Sequence, residues 1–175
     1  MVILRIFIVL ISALAFSLSV ANNAEALEDS ELIRASIIEK IANFIEWPDL
    51  KEEQFTICAF DNTPLLPALE AYYANSFFNQ KPIKLVTFNQ FKIFSECQII
   101  YLGIAERIKL ETILTQIEGQ PILVVTEKKD DVSRGAHVDF FVEENRLRLE
   151  INRTALSKNH LKASYHLLGV ARIVE

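Results

Sequence analysis

Pro121-Ile-Leu-Val-Val-Thr126 decides the fold class. Its unbroken row Ile122, Leu123, Val124 and Val125, with turn signals on both sides, reads as a strand. A strand apolar on both faces belongs inside a parallel sheet covered by helices. Upstream, Phe55-Thr-Ile-Cys-Ala-Phe60, residues 83–88 and residues 98–103 read as further strands. Helical spacing fills the gaps. Residues 28–46 place Leu32, Ile33, Ile37, Ile41, Phe44 and Ile45 on one face, with Asp29 or Ser30 as cap and Trp47-Pro48 as terminator. Thr63 is expected to cap a second helix, with Pro64 at its first position, running to Tyr73. A short helical turn is expected over 89–94. A third helix, over 106–117, carries Ile108, Ile113, Leu114 and Ile117 on one side and closes at Gly119.

Beyond Thr126 the pattern changes. Residues 138–142 and 146–151 flank Glu143-Glu144-Asn145, which suits a three-residue hairpin loop. Leu147, Leu149 and Ile151 alternate with Arg146, Arg148, Glu150 and Asn152, giving one buried face and one polar face. Asn152 is placed to cap a short helix through Leu156, and residues 161–174 read as a closing helix. The expected architecture is α/β: a single domain with a largely parallel, mixed sheet flanked by helices and an antiparallel hairpin near the C-terminus.

Composition agrees with one folded domain. The 175 residues are 51% hydrophobic and 23% charged, with 4 Gly and 5 Pro, which excludes disordered, collagenous and low-complexity classes. A net charge of −5 without any basic run argues against nucleic acid as a partner.

The N-terminus points to export. Arg5 precedes an uncharged stretch over 6–18, followed by small-x-small sites at Ser19-Val20-Ala21 and Ala24-Glu25-Ala26. This reads as a signal peptide over 1–21, cleaved as late as 26, ahead of a domain over 28–175. An uncleaved anchor is the competing reading. An exported chain with two cysteines tends to pair them, and Cys58 and Cys97 both belong to strand-like segments. Two inert buried thiols are the alternative.

Reactive groups do not converge in the sequence. It has no GxGxxG, P-loop or G-x-S-x-G element, and four glycines cannot build a phosphate cradle. His137, His160 and His166 have no metal-ligand spacing, and the last two are expected on terminal helices. Asp130-Asp131 and Asp61 follow strands, where open α/β sheets hold ligands, although a solvated charged loop is the plainer reading. The reading is therefore no enzyme, no catalytic residue, no metal and no cofactor. The stripe Arg146, Arg148, Glu150 and Asn152 is either an ion-pair ladder or a recognition surface for a partner or small anion.

Five pieces in order also resemble the YfiR family of periplasmic regulators. They are Ile41-Ala-Asn-Phe-Ile-Glu-Trp-Pro48, Phe55–Phe60, Cys97–Leu102, Arg148-Leu-Glu-Ile-Asn152, and Leu-Leu-x-x-Ala-x-x-Val ending at Val174. The resemblance implies a periplasmic homodimer that represses an inner-membrane diguanylate cyclase by binding its periplasmic region, lowering cyclic-di-GMP and biofilm formation. It also implies an outer-membrane lipoprotein that sequesters the repressor. Cys58 and Cys97 match one of two family disulfides, and the second pair is missing, as is the family's Gly-Gly-Met-Ile-like stretch, here Gly135-Ala-His-Val138. Expected contact residues are Glu46, Trp47, Arg146, Arg148, Glu150 and Asn152, with a core role as the plainer reading of Trp47. A periplasmic small-molecule sensing module serving another membrane receptor or sensor kinase is the alternative function.

Overall fold

Every residue of Phe55–Phe60 (β2) is buried, and this strand lies inside the sheet that organises the chain. The computed structural model describes residues 29–48, 50–89 and 94–175. In chain order the elements are helix α1 over 29–43, β1 (Ile45–Glu46), β2, α2 (Leu66–Tyr73), β3 (Phe77–Phe78), β4 (Lys81–Phe88) and β5 (Ile99–Leu102). A 3-10 turn at Glu106–Lys109 leads into α3 (Leu110–Gln116), then β6 (Leu123–Thr126) and a second 3-10 turn at Asp131–Arg134. The chain continues with β7 (Val138–Glu143), β8 (Arg146–Asn152), α4 (Arg153–Lys158), β9 (Lys162–Ala163), α5 (Tyr165–Val170) and β10 (Arg172–Val174). Eight strands form one sheet in the order β10-β8-β7-β6-β5-β2-β4-β3. Pairing is parallel throughout except β7 with β8 and β3 with β4.

Side-chain alternation divides the interior into two cores. On one face Phe55, Ile57, Ala59, Ile99, Tyr101, Leu123 and Val125 pack beneath α1 and α2. On the other Cys58, Phe60, Ile100, Leu102 and Val124 pack against Leu110, Ile113 and Ile117 of the α3 segment. The α/β class with a mixed, mostly parallel sheet and a C-terminal hairpin is therefore what the chain adopts. The Cys58–Cys97 disulfide links β2 to the entry of β5 across a Cα–Cα distance of 5.8 Å.

Several local expectations are corrected. α1 stops at residue 43, and Ile45–Glu46 pairs with Lys162–Ala163 instead of extending the helix. α2 starts at Leu66, with Pro67 rather than Pro64 in its first turn. Thr63 accepts from Leu66 N within a preceding turn and caps nothing. Ile108, expected in an apolar stripe, is exposed because its segment is a 3-10 turn with a different side-chain period. The hairpin loop holds two residues, Glu144 and Asn145, both at positive φ (53° and 57°), as a type I′ turn requires. The closing segment is strand, helix, strand: Ser164 accepts from Leu167 N as the cap of α5, and β10 then joins the sheet beside β8. His160 sits in a turn after α4 rather than on a helix. The signal peptide expected over 1–21 lies outside the described residues, as does most of the turn expected over 89–94. No helix among the described residues is long and apolar enough to cross a membrane.

The disulfide closes 39 residues containing α2, β3 and β4. Replacing both cysteines with alanine is expected to lower stability by about 4 kcal/mol under oxidising conditions. Urea unfolding with and without a thiol reductant checks this: the variant should match the reduced wild type, and free thiols by alkylation and mass spectrometry would contradict it.

Candidate functional site

Strand β7 outruns its neighbour. It pairs with β6 only at Val125–Val138 and Thr126–Asp139, so from Phe140 onward β7 and β8 leave the sheet as a two-stranded ribbon. Cross-strand pairs Phe140–Leu149 and Val142–Leu147 make one side of that ribbon apolar. No helix fully covers it: Val142 is 73% exposed and Leu147 47% exposed.

α1 runs alongside. Its residues Ala35, Ile38, Ile41 and Ala42 face the core, while Ile33 on its flank and Phe44 just past its end remain exposed. The result is a groove between α1 and the ribbon. One half, about 520 Å³, is lined by Ile33, Ile37, Ile104, Phe140, Val142 and Leu147, with Arg34 and Glu127 also in its wall. The other half, about 420 Å³, runs past Ile41, Phe44 and Leu149 to His166 and Val170 of α5. Ile37 and Leu147 line both halves, so the apolar surface is continuous. Exposed apolar side chains gathered along one groove, rather than scattered singly, are the kind of surface that marks binding faces.

The residues singled out from sequence are dispersed. Arg146 is exposed near the ribbon tip, and Arg148 lies 4.0 Å from Glu143, on the side opposite the apolar pairs. Glu150 is buried, ion-paired with Arg172, and accepts a bond from Asp130 N. Asn152 caps α4 through Ala155 N and donates to Val132 O at 2.9 Å. Glu46 is exposed on β1 opposite Lys162. Trp47 is half-buried, edge-on to Phe55 and Phe78, and donates to Ala42 O at 3.0 Å. Trp47 thus packs near β2 and β3, several strands from β8, and the structure does not join the two sets into one patch. Periodicity assigns the groove-lining Ile33 and Leu147 to buried faces, and it marks neither Val142 nor Val170 as a binding residue, yet all four are exposed.

The charged loop after β6 is not simply solvated. Glu127 is buried and takes a bidentate grip from Arg34, with Nε donating at 2.9 Å. Asp131 is fully buried and accepts from Arg107 at 2.5 Å and from Arg134 at 3.3 Å. Beside it, Asp139 faces Glu150 across the β7–β8 pair and accepts from Val132 N at 3.3 Å. Burial, with Glu150 nearby, pushes the Asp139 carboxyl up to about 7. His137 accepts from Val124 N through Nδ1, and burial pushes it down to about 4. Among the described residues no group of three or more His, Cys, Asp or Glu side chains is placed to hold a metal ion.

The family model for YfiR/HmsC-like domains matches residues 31–172. The chain belongs to the YfiR/HmsC-like family. Among solved structures it is similar to a conserved domain protein of Vibrio cholerae O1 biovar El Tor, at a TM-score of 0.56 and 14% identity. The match covers 83% of this chain and 60% of that one, so the chain spans about three fifths of the neighbour's length. No curated protein matches the sequence. The Vibrio likeness supports the fold alone.

For this YfiR/HmsC-like domain the two buried titrating groups predict opposing pH effects. Asp139 binds its proton more tightly when folded, so its contribution is present below about 4 and is lost as pH rises to about 7. His137 is held neutral when folded, so its contribution is present above about 6.5 and is lost as pH falls toward 4. Between these limits the two oppose each other, and above pH 6.5 only the Asp139 loss remains. Asp139→Asn is expected to be more stable than wild type at pH 8, by about 1–3 kcal/mol, because no charge is then buried beside Glu150. Its stability should then fall more steeply than that of wild type between pH 6.5 and 4. Chemical unfolding at pH 4, 6.5 and 8 checks both statements.

Proposed function

We propose that this YfiR/HmsC-like protein is a periplasmic regulator that represses an inner-membrane diguanylate cyclase by binding the cyclase's periplasmic region, lowering cyclic-di-GMP and biofilm formation. The observation that carries the reading is the continuous apolar groove between α1 and the β7–β8 ribbon. A regulator acting by contact needs such a face and no reacting groups. Family membership supports the compartment and the class of partner, and the signal-like N-terminus is consistent with export.

Repression of this kind works by population shift: the regulator must bind the inactive cyclase more tightly than the active one. The groove supplies apolar area, and the ribbon's opposite side, with Arg146 and Arg148, supplies charge at the margin. That division suits a protein interface with an apolar centre and a polar rim. Sequestration by an outer-membrane lipoprotein would compete for the same face, and a homodimer is the expected oligomer. The small-molecule sensing alternative draws on the same groove, whose halves have the size of ligand sites.

Cellular cyclic-di-GMP with the gene deleted and then restored tests the proposal. A rise on deletion, reversed by the exported protein, is the expected result. Restoring Leu147→Glu instead should fail to lower cyclic-di-GMP, with binding to the cyclase's periplasmic region weakened at least tenfold and the melting temperature nearly unchanged. Arg148→Glu should weaken binding by a smaller factor. Unchanged cyclic-di-GMP on deletion, with the cyclase expressed, would overturn the regulator reading in favour of the sensing module.

A further inference from the structure

The sheet reverses its winding between β2 and β5. From β2 the chain crosses through α2 to β4 on one face, whereas from β5 it crosses through α3 to β6 on the other. The segments after β2 and β5 therefore diverge, and this reversal is the position at which doubly wound sheets bind ligands. Three side chains converge there. A point one bond length from the Gly103 Cα, where a Cβ would lie, is 2.6 Å from Glu106 Oε2, 3.2 Å from Thr63 Oγ1 and 3.5 Å from Tyr101 Oη. Thr63, Tyr101 and Glu106 are 5%, 1% and 2% exposed. Their hydroxyls and both Glu106 carboxylate oxygens have no hydrogen-bond partner among the described residues.

Nearby cations are already paired, and the Arg34–Glu127 pair, neutral as a unit, lies beside Tyr101. Arg107 holds Asp131, Arg34 holds Glu127, and the Lys109 ammonium lies over the Phe60 ring at 3.8 Å from its centre. A buried carboxylate without a counter-charge is costly by several kcal/mol. We propose that Glu106, Thr63 and Tyr101 form a binding site for one monovalent cation, an alkali ion or ammonium, at the point where the sheet reverses. The donors are hard oxygens, which suit such ions rather than soft metals. One carboxylate balances one charge, whereas Ca²⁺ sites draw on several acidic ligands. Gly103 leaves the room, since any side chain there would strike the carboxylate.

Thermal unfolding of the full exported chain at constant ionic strength tests this, in chloride salts of Na⁺, K⁺, Rb⁺, NH₄⁺ or choline, the last too large for the site. At least one small cation is expected to raise the midpoint by about 3–5 °C over choline at ten times its dissociation constant. The rank among salts separates alkali ions from ammonium. Glu106→Gln should abolish the difference, and Gly103→Ala, which fills the space, should do the same while circular dichroism shows a folded chain. In Rb⁺-soaked crystals an anomalous peak should lie between Glu106 and Thr63 if the ion is an alkali metal. Equal midpoints in all salts, or an ion effect that survives Glu106→Gln, would overturn the proposal.

Discussion

β2 pairs with β4 on one side and with β5 on the other, and the rest of the molecule is arranged around that double pairing. Because β2 is apolar on both faces, helices must cover it from above and below. α1 and α2 take one face, and the α3 segment takes the other. The outward parallel steps from β5 through β6 to β7 then leave β7 to find its second partner in β8, by the shortest available turn. The groove arises where that last hairpin overshoots β6. A binding face is thus produced by a difference in strand length, with α1 as the opposite wall.

Much of this was legible in the residues. The runs 55–60, 98–103 and 121–126 announced buried strands, since nothing else explains so many apolar residues in so short a span. A signal-like N-terminus and two cysteines were enough to anticipate the Cys58–Cys97 bond. Local periodicity failed where a long-range partner took over. Residues 161–174 have helical spacing, yet Ala163 lies opposite Ile45 in a strand pair in which Ser164 N donates to Phe44 O, and Arg172–Val174 line up beside Glu150–Asn152. The same applies to Ile45–Glu46, drawn out of α1 by β9.

Polar groups were harder to place. Glu127, Asp131, Asp139 and Glu150 look like solvated acids in sequence, but each is buried. Three of them face arginines from elsewhere in the chain: Arg34, Arg107 and Arg172. Separations of tens of residues hide such pairs from any local pattern. The stripe on β8 divides accordingly: Arg146 and Arg148 stay at the surface, whereas Glu150 and Asn152 are consumed in joining β8 to β10, α4 and the turn before β7. The binding groove was hidden for the converse reason. Its apolar residues obey the periodicity of buried ones, and only the geometry of the ribbon leaves them uncovered.

The bond between Cys58 and Cys97 also gives the chain a covalent shortcut. A force applied to the two ends passes from β2 directly into the entry of β5, so α2, β3 and β4 hang on a closed ring outside its path. Up to about 130 Å of contour length stays out of reach of stretching. A protease that cuts once within this ring releases no fragment, because both pieces remain tied through sulfur. Such damage would pass unnoticed in a separation by mass until the bond is reduced, and the ring would then open as two chains.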